Sequence, residues 1–290
     1  MLEAPNPNKE VPMTVQEGIE LFKRHQQSQA REKTRESYAY LLRNLESFFG
    51  EKAMDAISAE DIHQLLFAMT SGRTRSSARL RYTQAKSFFN FLIEHGKVTL
   101  NPCDDLVLRK TFRAPRYKDR AVVAREVIDE LIYRCKKPRN RLIVQPQARC
   151  GLRIGEVLKL RASDVSDRKL FLRTPKSGRE QEAAFMPEAI ATRLRSYITA
   201  EHLAGDDALF PISYSTARSF IKQLGEKANV RIRPHDLRRH SATYASRNGA
   251  PLEVVSKVFL RHADLNTTQM YLGKVTDAEA IRWIDVLHSK

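Results

Sequence analysis

Six side chains in the second half of the chain have the types to act together on a phosphate. The stretch His235–Tyr271, HDLRRHSATYASRNGAPLEVVSKVFLRHADLNTTQMY, holds His235 and Arg238 three apart, then His262, then Tyr271 nine residues later. Arg153 and Lys176 stand upstream. Guanidinium groups grip phosphate oxygens bidentately, an ammonium adds a point charge, and a phenol can serve as nucleophile. The reading is that Tyr271 attacks a DNA phosphate while Arg153, Lys176, His235, Arg238 and His262 hold and neutralise it. Each residue also has a plainer reading. An arginine at a helix start is usually a surface residue, a turn lysine is usually solvated, and the histidines and the tyrosine could each be core or surface.

Two rival chemistries are weaker. His235 and His240 lie five apart, on different sides of a helix, and no Cys or acidic partner has ligand spacing, so no metal site is assigned. Two helices around Gly249 would also suit a helix-turn-helix reader of DNA without catalysis, but that leaves the His–Arg pair and the late tyrosine as coincidences.

The elements that must position these groups can be read from periodicity. A helix is expected over Val127, Ile128, Leu131 and Ile132. Pro146 should break or kink the next, Gly151 allows a tight turn, and a fresh helical face follows at Ile154, Val157, Leu158 and Leu160. Arg153 starts that helix, where unpaired N–H groups favour an anion. KLFLRT and REQEAAF flank PKSG and read as a β-hairpin with Lys176 at its tip. Helices are expected from Pro187 and near Ser215–Ala228. Three more follow: Asp236–Asn248 ended by Gly249, one after Pro251, and a short one capped by Asp264 or Asn266 that delivers Tyr271. His262 falls in the loop before the last.

The first half is helical by the same test. Thr14 and Glu17 form a capping box, Thr34 precedes an apolar face from Tyr38 to Phe49, and Ser58 with Asp61 forms another cap. After the loop SGRTRSS, a fourth helix carries Tyr82, Ala85, Phe89 and Leu92 on one side. Arg79, Thr83, Lys86 and Asn90 share another stripe, with Arg73 and Arg75 just before the helix. Basic groups interleaved with short donors suit a phosphate backbone, although a single such stripe is equally a solvated face.

Composition bears on partner and compartment. Fifty Lys plus Arg against thirty-four Asp plus Glu give a net charge of +16 over 290 residues, an excess that points to a polyanion, nucleic acid first. Cys103, Cys135 and Cys150 form no paired spacing, which argues against a disulfide framework or zinc knuckle and for a reduced, cytoplasmic setting. No run of eighteen apolar residues is present to span a membrane. The expected organisation is a flexible arm over 1–12, a helical DNA-binding domain over 13–103, a basic linker over 104–120, and a catalytic domain over 121–290. The fold class is mainly α, with a small β-sheet or hairpin in the second domain.

These residues match a known family. ARCGLRIGEVLKLRASDV resembles the first arginine box of the tyrosine recombinases, also called the phage integrase family. HDLRRHSAT resembles their His-x-x-Arg box, and LRHADLNTTQMY resembles their closing box with the nucleophilic tyrosine. The hairpin lysine falls in the family's order. The resemblance covers residues from about 121 to the end, and the helical first half is similar to the family's core-binding, SAM-like domain on weaker grounds. It implies a simple, Xer-like, two-domain C-shaped clamp on double-stranded DNA.

It also implies a chemistry. Tyr271 forms a 3′-phosphotyrosyl link and releases a 5′-hydroxyl. Arg153 and Arg238 grip the non-bridging oxygens, and His262 donates to them. Lys176 protonates the leaving oxygen, and His235 takes the tyrosine proton or orients the phosphate. A phenol with a pKa of roughly 10 needs such help. Neither a metal cofactor nor ATP is implied. Two departures stand out. Arg261 occupies the family's usual Gly position before the histidine, where it alters the backbone or adds a phosphate contact, and Arg239, a candidate DNA contact, replaces a frequent His and rivals Arg238, which the motif spacing favours. After Tyr271, an amphipathic tail with Ala280, Ile281, Ile284 and Leu287 either packs on its own domain or docks into a neighbouring protomer of a tetramer on two paired sites. The family reading leaves room for accessory proteins. A type IB topoisomerase-like nicking-closing enzyme would need the same residues, and a non-catalytic regulator none of them.

Overall fold

The computed structural model describes residues 12–113, 122–173, 182–262, 264–269, 272 and 281. The chain divides into two compact units, Met1–Lys118 and Asp119–Lys290.

The first unit is helical: α1 (Val15–Gln29), α2 (Glu32–Phe49), α3 (Ala59–Thr70), α4 (Arg75–Glu94) and the short α5 (Leu106–Thr111). Its starts are set by the expected caps. Thr14 accepts the Glu17 N–H at 3.2 Å while Glu17 accepts the Thr14 N–H at 2.9 Å, and Ser58 with Asp61 does the same for α3. Such caps each contribute about 1 kcal/mol. The apolar stripes of α1 to α4 meet in one core around Ile19, Phe22, Leu41, Leu45, Leu65, Phe88 and Phe89.

Two expectations shift here. Thr74 caps α4, so Arg75 lies inside its first turn and not in the preceding loop. The stretch expected to be linker from residue 104 is partly folded. Asp105 caps α5, and Leu108 and Phe112 are buried in the first unit's core beside Cys103, whose carbonyl accepts the Tyr82 hydroxyl at 2.8 Å. A helix of six residues with few apolar anchors among charges is too short to show a period. Residues 114–120 of the expected linker, and most of the N-terminal arm, lie outside the described residues.

The second unit is α+β. It contains α6 (Arg125–Arg134), α7 (Pro138–Cys150), α8 (Ile154–Val157), α9 (Glu188–Ala200), α10 (Tyr214–Lys227), α11 (Pro234–Arg247), α12 (Leu252–Val254), a π-helical segment Val255–Leu260, and α13 (Leu265–Gln269). Between α8 and α9, β1 (Val165–Ser166), β2 (Lys169–Leu172) and β3 (Glu182–Phe185) form an antiparallel sheet in that order. Leu170 pairs with Ala184 and Leu172 with Glu182. The expected turn carrying Lys176 lies outside the described residues.

Helix α7 is the centre of this unit. Leu142 and Ile143 belong to an apolar cluster with the sheet and α9, while Val144 and Ala148 belong to a second cluster with α6 and α10. The helix therefore runs through Pro146 instead of ending or breaking there. A mid-helix proline costs about 3 kcal/mol, and burial of every residue from Leu142 to Ala148 offsets it. The helix stops at Gly151, whose φ of 67° is left-handed.

Candidate active site

The first arginine box begins where α7 ends. Gly151 turns the chain, and Arg153 becomes the N-cap of α8. That helix start is already occupied. Glu156 accepts the Arg153 backbone N–H at 2.7 Å and its guanidinium at 2.6 Å. The expected anion site at this helix start is thus taken by a carboxylate of the chain itself.

Arg238 reaches the same place from α11. Its side chain is fully buried, and an unpaired cation there would cost several kcal/mol. One arm donates to the Gly151 carbonyl, the other to the Leu260 carbonyl, and Glu156 lies 3.9 Å away. Arg238 therefore joins the end of α7 to the end of the π-helical segment.

That segment delivers the second histidine. It closes at Arg261 in the left-handed region (φ 48°, ψ 49°), and the next residue, His262, is turned toward Arg238. Nε2 of His262 lies 3.4 Å from Arg238 Nη2, and Nδ1 lies 3.1 Å from the Thr268 hydroxyl, which donates to Ser256 at 2.9 Å. Burial, then the neighbouring Arg238, Arg153 and Arg261, lower the His262 pKa to about 4, so the ring is neutral at neutral pH. Burial pushes the Glu156 carboxyl up, but Arg261 and Arg153 outweigh it and hold its pKa below the usual range.

The structure thus brings together Arg153, Arg238 and His262 from three separate segments. His235 is exposed in the first turn of α11, one turn before Arg238, and Arg239 is half-buried on the same helix. Lys176 and Tyr271 lie outside the described residues; β3 and α13 bracket them from the C-terminal and N-terminal sides respectively. So does the C-terminal tail, apart from Leu272 and Ile281. Arg261, read on sequence as altering the backbone or adding a phosphate contact, has a side chain only 2% exposed and directed at Glu156 at 2.7 Å.

The first unit's basic stripe is partly engaged within its own unit. Arg73 and Arg75 are exposed, and Arg79 lies over the Tyr82 ring. Lys86 pairs with Asp104, and Asn90 accepts from Asn101 at 2.6 Å.

Sequence reasoning missed four residues. Glu156, Ser256 and Thr268 all touch the site residues, and Glu182 of β3 faces Arg261 at 3.7 Å. The i,i+3 spacing of Arg153 and Glu156 is a signal that could have found the first; the other three become neighbours only through the fold.

With this geometry in hand, comparison with known proteins is decisive. The model of the phage integrase family matches residues 121–277, and that of the phage integrase N-terminal SAM-like domain matches residues 19–96. The chain belongs to the phage integrase family. Within it, the chain is a tyrosine recombinase of the Xer type, an enzyme of site-specific recombination through a tyrosine intermediate. A tyrosine recombinase of Thermosipho africanus is 27% identical over 265 residues, covering 86% of this chain and 90% of the relative. The tyrosine recombinase XerA of Saccharolobus solfataricus is 31% identical over 152 residues, which is 52% of this chain and 51% of that relative, so the match spans about half of each. Among solved structures, the Tn1549 transposon integrase in complex with transposon right end DNA shares the fold, with a TM-score of 0.77 at 16% identity over 96% of this chain and 100% of that one. The arginine and histidine boxes of this phage integrase family member are the ones assembled around Glu156.

Proposed function

We propose that this recombinase cuts and rejoins double-stranded DNA with Tyr271 as nucleophile, the phosphate being held by Arg153, Arg238 and His262. The observation that carries this reading is the convergence of those three side chains from α8, α11 and the loop before α13. Two guanidiniums in a partly water-excluded site stabilise the extra charge of a five-coordinate phosphate far better than they would in bulk water. Lys176 would protonate the 5′-oxygen as it leaves, and His235 would receive or steer the tyrosine proton. The phosphotyrosyl bond conserves the phosphodiester's energy, so the reverse attack by a 5′-hydroxyl rejoins the strand without ATP.

Arg238 is fully covered and His262 is neutral at neutral pH. The phosphate therefore meets Arg153, whose side chain is 24% exposed, before it reaches Arg238. The anion would also raise the His262 pKa and favour the protonated, doubly donating ring.

In this reading both units contact the duplex. Four protomers on two paired sites exchange their C-terminal tails. The net charge of +16 and the basic surface of Arg73, just before α4, and Arg75 and Arg79 on it favour a DNA partner.

A suicide duplex tests the chemistry. Wild-type protein should form a covalent protein–DNA complex, and Tyr271→Phe should bind equally well but form none. A covalent band that survives Tyr271→Phe would remove the tyrosine from the role given to it; tight binding with no band from the wild type would favour a non-catalytic regulator. Plasmids carrying two sites separate recombination from simple relaxation, the outcome a nicking-closing enzyme would give.

A further inference from the structure

Three guanidiniums, those of Arg153, Arg238 and Arg261, meet at Glu156. Arg261 stands where the sequence resemblance expects Gly, and its backbone is left-handed, a conformation that disfavours a residue with a side chain. Such strain persists when the surroundings over-determine it, and here they do. Nη2 of Arg261 lies 2.7 Å from Glu156, Nη1 donates to the Phe259 carbonyl at 3.0 Å, and Nε lies 3.7 Å from Glu182. The Arg261 side chain is 2% exposed, Glu156 11% and Glu182 8%, so these contacts are little screened by solvent.

Glu156 is the shared resource of the site. The oxygen that Arg261 engages at 2.7 Å is the one 3.9 Å from Arg238. Arg153 already holds the other oxygen at 2.6 Å, so without Arg261 the guanidinium left to meet this one is that of Arg238. Glu182 is the first residue of β3, at the end of the hairpin expected to carry Lys176. Arg261 therefore also ties that strand to the loop that presents His262.

We propose that Arg261 is a positioning residue: it holds the Glu156 oxygen nearest Arg238 so that this carboxylate does not compete with the scissile phosphate for Arg238, and it anchors β3 against the His262 loop. This inference rests on the recombinase reading above.

The test uses the full chain and a suicide duplex carrying the sequence that the wild type cleaves. Arg261→Gly restores a residue at ease in the left-handed region, so it should fold. It should bind the duplex within about threefold of wild type yet form the covalent complex roughly 10–100-fold more slowly, the scale of a misplaced catalytic group. Arg261→Lys, which keeps the charge but cannot bridge both carboxylates and the carbonyl, should fall in between. Adding Glu156→Gln to Arg261→Gly keeps an acceptor for the Arg153 N–H but removes the competing charge, so it should recover several-fold of the rate.

An Arg261→Gly protein that cleaves at the wild-type rate overturns the proposal. So does a double variant slower than Arg261→Gly alone, because a merely structural staple would lose further ground. If Arg261→Gly melts below the assay temperature, the Lys variant decides: wild-type rate overturns the idea, and a slowed rate with unchanged binding supports it. A wild type that forms no covalent complex sinks the recombinase reading itself, whereas an active wild type with an equally active Arg261→Gly sinks only this role.

Discussion

His262 is held by Thr268, six residues further along the chain, through a contact of 3.1 Å between Nδ1 and the threonine hydroxyl. Because that hydroxyl donates onward to Ser256, it accepts from Nδ1, and the ring presents Nε2 to Arg238. The orientation of the imidazole is therefore written into the segment that leads to Tyr271.

Thr268→Val should expose that dependence. Valine fills the buried site but leaves the imidazole N–H and the Ser256 hydroxyl without their partner, a loss of about 1–3 kcal/mol. Single-turnover formation of the covalent complex should slow by about tenfold or more with duplex binding unchanged, and Thr268→Ser should recover most of the rate. Equal rates for wild type and Thr268→Val would show that the ring needs no such anchor.

Acid should weaken the second unit before the first. The His262 pKa is lowered from 6.5 to about 4, mainly by burial, and burial also lowers that of His240. A depressed histidine pKa means that the unfolded chain takes up the proton first, so stability is lost as pH falls from 6.5 toward 4. In the first unit, the hydrogen bond from Lys52 and that from the Ser58 N–H hold Asp61 down to about 2 from 3.8, so its contribution is present above 3.8 and disappears toward 2. Thermal unfolding followed across this range should show the early loss, and His262→Gln should flatten it. A melting temperature that stays level between pH 6.5 and 4.5 contradicts the assignment.

Gly151→Ala should damage the fold more than a single methyl normally does. A Cβ there would stand 2.6 Å from the Phe259 carbonyl oxygen, and the φ of 67° is left-handed. The expected loss is about 2–4 kcal/mol, seen as a fall in melting temperature of about 5–10 °C. A shift under 2 °C would mean that the π-helical segment gives way easily.

Binding to the duplex should fall steeply with salt. Neutralising six to ten phosphates would cost about 10³–10⁵ in affinity between 50 and 200 mM salt. Alanine at Arg73 or Arg75, both exposed, should each reduce the log–log slope by about 0.9. Lys86→Ala should change it less, since that ammonium already pairs with Asp104. A slope near zero would remove the electrostatic basis for duplex binding.

The sequence by itself determined the family, the helical first unit and the short sheet. Those features live in local patterns: capping boxes at Thr14 and Ser58, apolar periodicity along α1 to α4, and boxes of residues at set spacings. The same locality explains where it was mistaken. Pro146 is a helix breaker by its own chemistry, yet it sits in a helix buried on both sides. Leu108 and Phe112 are unremarkable in a charged stretch, yet both are core residues.

Only the tertiary structure decided the electrostatics of the site. Arg153, Glu156, Glu182, Arg238, Arg261 and His262 are spread over more than a hundred residues, and nothing in their spacing says that one carboxylate serves three guanidiniums. Charge interactions depend on distance and on the exclusion of water, and both are set by the packing of α7, α11 and the π-helical segment. The sequence named the cations; the fold decided which of them are buried, which oxygen they share, and that Arg261 faces inward.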